Sequence, residues 1–184
     1  MSINNSQFVW PTSFACTMVS ENKILPNSYS LNISIVPIDE SASNIGLGYR
    51  KLKYFVEEFL HNSILVHSEN PLAKLLEASN TNLVLLPTDP YDLYIGSVLY
   101  AKMLAITKKY FHIDVISIDS VIGDRINYSI MDPEDCGLEL SGNHWWNSDS
   151  TYTGSGPIIG WGELEETVLP KFEPKIVKGG KSEN

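Results

Sequence analysis

Residues 82–131 constrain the fold most, because signals for a strand, a helix, a second strand and a hairpin follow one another there without a gap. The run Leu83 to Leu86 is apolar throughout, which is typical of a strand covered on both faces in a sheet flanked by helices. Pro87 ends this run. The next residues predict a helix start with Asp89 as the N-cap and Pro90 at the first helical position.

The helix is predicted to run from Tyr91 to Lys109 and to be largely buried, because its apolar residues recur at three- and four-residue spacing. Asp92 falls at the third helical position, so capping explains Thr88, Asp89 and Asp92 better than a ligand site does. Gly96 in the interior costs roughly 1 kcal/mol against alanine. We therefore expect another part of the backbone to approach the helix closely at Gly96.

A hairpin is predicted to follow the helix. Phe111 to Asp119 forms one strand, Arg125 to Met131 forms its antiparallel partner, and Gly123-Asp124 supplies the turn. Asp114 and Asp119 are five residues apart on the first strand. They point to opposite faces of a regular strand, so a catalytic acid pair is not expected there without a bulge.

The first half of the chain predicts further strands and helices in alternation. Tyr29 to Ile35 alternates apolar and polar residues, which indicates a strand with one face in the core. An amphipathic helix over 44–60, a strand at Ser63 to Val66 and a short helix over 70–78 follow. The order β-α-β-α-β-α-β-β predicts an α/β fold with a mixed sheet and a C-terminal antiparallel hairpin. A ferredoxin-like α+β fold is the alternative, because the three helices are unequal in length.

The chain divides into four parts on composition. Residues 1–27 read as an irregular N-terminal arm in which Phe14 to Val19 is a candidate edge strand, and 28–131 form the α/β core. Residues 132–170 are predicted to be an acidic, aromatic loop region packed on the same domain, and 171–184 a frayed tail.

Composition and charge narrow the possible partners. Of the 184 residues, 43% are hydrophobic and 19% are charged, which indicates a globular protein. From Tyr110 to Pro170 the chain carries eleven acidic residues against the single base Arg125, whereas the half before it is nearly neutral. This asymmetry argues against direct nucleic-acid binding, which depends on clustered Lys and Arg. A protein with a basic surface is the expected partner.

The remaining sequence features predict a cytoplasmic protein. No apolar run approaches the roughly 20 residues that a membrane span needs, and residues 1–14 lack the pattern of a signal peptide. Cys16 and Cys136 have no metal or redox spacing, so they are expected to be free thiols. The chain has no motif of the nucleotide-binding, kinase, hydrolase or zinc type, and no cofactor is predicted.

The acidic, aromatic region is the predicted functional segment. Tryptophan and tyrosine are enriched at interface hot spots, and surrounding acids attract a basic partner. The predicted partner-binding residues are Asp132, Glu134, Asp135, Trp145, Trp146, Tyr152 and Trp161. The alternative for Trp145, Trp146 and Trp161 is that they fold back over the sheet edge.

These residues lead to two expectations for function. The first is a non-enzymatic interaction module, either a subunit of an assembly or an inhibitor. The second is a small metal-assisted hydrolase using Asp132, Asp135 and His144, although the spacings of these residues match no known zinc or calcium loop.

Overall fold

The computed structural model describes residues 7–21, 23–38, 42–78 and 82–149, and these form one six-stranded mixed sheet with three α-helices. The strands are β1 (Phe8–Ser20), β2 (Lys23–Pro37), β3 (Ser63–His67), β4 (Leu83–Leu86), β5 (Phe111–Ser120) and β6 (Tyr128–Ile130). The helices are α1 (Ala42–Lys53), which continues as a π-helical turn over Tyr54–Phe59, α2 (Pro71–Glu77) and α3 (Asp92–Thr107). Two 3-10 turns follow, at Pro133–Cys136 and Trp145–Asn147.

The strand order across the sheet is β4-β3-β1-β2-β5-β6. The pairs β3–β4 and β1–β3 are parallel, whereas β1–β2, β2–β5 and β5–β6 are antiparallel. The predicted α/β class with a mixed sheet is therefore confirmed, and β5 and β6 form the predicted hairpin at one edge.

The prediction of an irregular N-terminal arm is wrong for the residues that form β1. Phe8–Ser20 was expected to be irregular with an edge strand at most, but it is a thirteen-residue strand inside the sheet, between β3 and β2. Phe14, Cys16 and Met18 alternate into the core. Pro11 lies outside the Cys16–Val19 stretch that pairs with β3, so its missing N–H costs little there. The first half of β1 gave no clear strand signal because Pro11 and Ser13 interrupt its apolar residues and none of its side chains is buried.

The core lies mainly on one face of the sheet, under α1 and α3. Tyr29, Leu31, Ile33 and Ile35 of β2 all point into it, as their alternation predicted. A smaller cluster lies on the opposite face, because neighbouring strand residues point to opposite sides of the sheet. Its buried members are Val19 of β1, Val66 of β3, Leu83 of β4 and Ala73 of α2. The rest of that opposite face carries the exposed side chains of β2 and β5.

Helix α2 starts where the sequence predicted, but α3 starts later than predicted. Asn70 caps α2, its Oδ1 accepting a hydrogen bond from the amide of Leu72 at 3.0 Å, with Pro71 at the first position. In contrast, α3 begins at Asp92 after the N-cap Tyr91, not after Asp89. Asp92 is buried because other parts of the fold supply its hydrogen-bond partners.

Gly96 of α3 marks a close approach, as predicted, but to side chains and not to another backbone. A β-carbon at this position would lie 2.9 Å from Cγ2 of Ile118 on β5 and would overlap Cδ1 of Ile130 on β6. The missing side chain therefore lets α3 pack tightly on the C-terminal hairpin.

Candidate functional site

The first 3-10 turn presents the acidic residues to solvent. Asp132 caps it, with Oδ1 accepting from the amide of Glu134 at 2.9 Å, and Gly137 ends it with φ 76°. The side chains of Asp132, Glu134 and Asp135 are exposed. These three predicted residues are thus held on an ordered turn where a partner could reach them.

The second 3-10 turn folds its tryptophans inward instead. Trp146 is only 5% exposed and packs in the core, with Nε1 donating to the carbonyl of Leu140 at 2.8 Å. Trp145 is half-buried, and its Nε1 donates to the carbonyl of Leu85 on β4 at 2.8 Å. The prediction that Trp146 contacts a partner therefore needs correction, because the indole completes the protein's own core. Tyr152 and Trp161 lie outside the described residues.

Lys102 of α3 binds this second turn through hydrogen bonds, and the sequence pattern did not identify it as a residue of the site. The side chain is fully buried, and Nζ donates to the carbonyl of Trp145 at 2.9 Å and to that of Ser148 at 2.6 Å. Burial lowers the pKa of Lys102 to about 7, an effect that the carboxylate of Asp149 opposes. A signal was present in the sequence, since Lys102 follows Val98 by four residues, within the buried stripe of the helix.

A groove of about 540 Å³ lies on the surface where the two 3-10 turns pack against α3. Its helix side contains mainly small and apolar residues, and its opposite side combines carboxylates with apolar and amide groups. The lining residues are Ala101, Leu104, Ala105 and Lys108 of α3, together with Asp132, Pro133, Glu134, Leu140, Ser141 and Asn147. The groove is within the size range of ordinary binding pockets, but it is open along one side.

The electrostatics of the groove favour a cation. Asp132 and Glu134 contribute two exposed carboxylates to its rim. The groove also follows the C-terminal half of α3, where the partial charges of the helix carbonyls are negative. Lys108 supplies a positive charge at the end of that helix. The site therefore offers an apolar surface with a negative rim and one positive end.

A second polar cluster surrounds the buried carboxylate of Asp92. It accepts hydrogen bonds from Tyr29 Oη at 2.8 Å, from the amide of Asp124 at 2.7 Å and from Ser120 Oγ. Because Asp92 is only 2% exposed, this cluster fastens the β5–β6 turn to α3 and is not accessible to a ligand. Burial raises the pKa of the nearby Cys16 thiol to about 12, so Cys16 stays protonated and is a poor nucleophile near neutral pH.

The other sequence candidates do not form a reaction centre. Within the described ranges no three His, Cys, Asp or Glu side chains are grouped to hold a metal ion, so Asp132, Asp135 and His144 make no such site. A bulge in β5 opposite Ser34/Ile35 brings Asp114 onto the same open face as Asp119. Five residues of strand still separate these two carboxylates by roughly 16 Å, too far for a catalytic pair.

No helix in the described part of the chain is long and apolar enough to cross a membrane. No protein-family model matches the chain, and no curated protein matches it significantly.

Proposed function

We propose that this protein is a non-enzymatic interaction module that binds a basic, partly apolar segment of another protein in the groove between α3 and the 3-10 turns. The observation that carries the proposal is that the exposed carboxylates of Asp132 and Glu134 edge a groove lined by Ala101 and Ala105. A lysine or arginine side chain suits this combination, because its apolar stem can lie on the alanines while its charge meets the rim.

The rigidity of the groove supports the same function. Its outer side is built on Leu140 and Asn147, and the Nδ2 group of Asn147 donates to the carbonyls of Leu140 and Gly142, both at 2.8 Å. Trp146 packs beneath this segment and Lys102 connects it to α3. A groove that is already formed loses less conformational entropy on binding, which favours affinity. The tryptophans in this proposal support the groove and do not form its contact surface.

The proposed setting is the cytoplasm, where a subunit or an inhibitor would meet its partner. Cys16 and Cys136 are both free thiols, which suits a reducing compartment. The exposed acids increase the association rate with a basic surface and make binding weaken as salt increases.

The test uses a short acetylated peptide of leucine and lysine as the probe. Charge reversal by D132K with E134K is expected to weaken its binding about tenfold, or about 1.4 kcal/mol, because two attractive rim contacts become repulsive. Isothermal titration calorimetry measures the affinity, and circular dichroism checks that the fold is retained.

Two further variants separate a groove contact from general electrostatics. D114K with D119K makes the same change in net charge on the open sheet face and is expected to alter affinity much less. Ser141→Trp places a bulky side chain on the groove lining without a change of charge and is expected to weaken binding. Equal effects of the two charge reversals, or full binding by the Ser141 variant, would contradict the proposal.

A further inference from the structure

A lysine without any solvent exposure is unusual, and Lys102 is held by a specific set of contacts. Besides the carbonyls of Trp145 and Ser148, it lies 5.7 Å from the centre of the Trp145 ring. A neutral amine has two N–H groups, which is enough to donate to both carbonyls. In the closed state, in which residues 144–149 pack against α3, Lys102 can therefore donate to both carbonyls whether or not it carries its charge.

Protonation of Lys102 affects the closed and open states of residues 144–149 differently. An ammonium group that is removed from water loses its hydration, so the closed segment disfavours the charged form. If residues 144–149 move away from α3, a local unfolding that also withdraws the Trp146 indole from the core, Lys102 meets water and recovers its ordinary preference for a proton. Opening is thus coupled to proton uptake, and it becomes harder as the pH rises.

We propose that Lys102 is a proton-linked latch that holds the segment 144–149 against α3 and opens more readily as the pH falls. Opening of this segment changes the groove, because Asn147 lies within residues 144–149 and lines the groove. Its consequence for peptide binding rests on the proposed function, whereas the latch itself does not.

Neighbouring charged groups influence the protonation of Lys102, but burial has the larger effect. Asp149 stabilises the protonated form of Lys102, but Asp149 also forms a salt bridge with Lys109 at 3.6 Å. The ring of His144 stacks on Trp146 with 4.5 Å between centroids. Other ionisable groups on elements next to α3 include Lys51, which donates to Tyr110 Oη, and the rim acids Asp132 and Glu134. Asp135 on the first 3-10 turn, Arg50 and Lys53 on α1, and His112, Asp114 and Asp119 on β5 also belong to this set.

Amide hydrogen exchange tests the latch in the free protein. The reporters are the amides of Asn147 and Ser148, which donate to the carbonyls of His144 and Trp145 at 3.0 and 3.3 Å. These bonds form a single 3-10 turn, which is not stable in water without its packing on α3, so both amides exchange when the segment opens. With the pKa of Lys102 at about 7 when closed and at its ordinary 10.5 when open, protection corrected for intrinsic exchange should rise about 15-fold between about pH 7 and about pH 8.5. The amide of Leu72 on α2 serves as the control and should not follow this rise.

Two variants assign the effect to the side chain. Lys102→Met keeps a side chain of similar length without a titrating group, and Lys102→Arg keeps the charge throughout this pH range. Both should abolish the pH dependence at Asn147 and Ser148. If neither variant folds, the wild-type pH profile alone decides the question.

The outcomes distinguish the latch from the proposed function. Constant protection of Asn147 and Ser148 in the wild-type protein, or an unchanged rise in the Lys102→Met variant, would overturn the latch. A rise that depends on Lys102 supports it, even if the leucine-lysine peptide fails to bind. In that case the proposed function alone would fail.

Discussion

The contact between Asp92 and Gly123 gives the sharpest test of how the β5–β6 turn is held. A β-carbon on Gly123 would lie 2.5 Å from Oδ2 of Asp92 and 2.7 Å from its Cγ. The φ angle of Gly123 is outside the positive range, so alanine would not strain the backbone itself. Any cost of Gly123→Ala should therefore come from the clash with the carboxylate.

The expected magnitudes follow from the partners of Asp92. Asp92→Ala removes the acceptor of the Ser120 hydroxyl and of the Asp124 amide, and it leaves the Tyr29 hydroxyl only the weak acceptor Met18 Sδ at 3.0 Å. Each poorly satisfied buried group costs about 1 to 3 kcal/mol. The total loss of unfolding free energy should be about 4 kcal/mol. Gly123→Ala alone should cost about 2 kcal/mol through overpacking. In the Asp92→Ala background the clash disappears, so the added methyl group should cost almost nothing.

A double-mutant cycle measures this coupling. Urea unfolding followed by circular dichroism gives the free energy of unfolding for the wild-type protein, both single variants and the double variant. The predicted coupling between the two sites is about 2 kcal/mol. Asp92→Asn keeps one acceptor oxygen and should cost less than Asp92→Ala. Single-variant losses that add to within about 0.5 kcal/mol would refute the reasoning, because independent sites behave in that way.

Two further predictions concern the helices. Gly96→Ala should lower the unfolding free energy by about 1 to 3 kcal/mol because the methyl group meets Ile118 and Ile130, whereas Gly46→Ala, with open space around it on α1, should raise it by about 0.5 to 1 kcal/mol. Thermal unfolding compares the two, and a stabilised Gly96 variant would contradict the packing described here. Asn70→Ala removes the cap of α2 and should cost about 1 kcal/mol in the same assay, with an unchanged stability arguing against the cap.

Local sequence signals predicted the elements whose structure depends on local chemistry. Alternation predicted Tyr29–Ile35 of β2, and the Asn70-Pro71 pair predicted the start of α2. The same reasoning failed at Asp89, where the cap signal was as good but the helix starts at Asp92. Tyr29 and Ser120 come from distant strands, and their hydrogen bonds to Asp92 replace the role that local capping would give it.

The candidate site was predictable only in part. The carboxylates of Asp132 and Glu134 were predicted to bind a partner, and both are exposed, because charged groups stay in water unless they are paired. The position of Trp146 could not be predicted, since an indole is suited both to an interface and to a core. Its burial depends on the space that α3 and Leu140 leave for it.

The sequence by itself determined the class of fold, the hairpin and the negative charge of residues 110–170, because periodicity, turn residues and ionisable groups act over a few neighbouring positions. Only the tertiary structure decided that β1 lies within the sheet, that Trp146 belongs to the core and that Lys102 is buried against Trp145. Each of these depends on partners that are far away in sequence. Hydrophobic burial and hydrogen bonding between such partners outweigh local preference once the chain is folded.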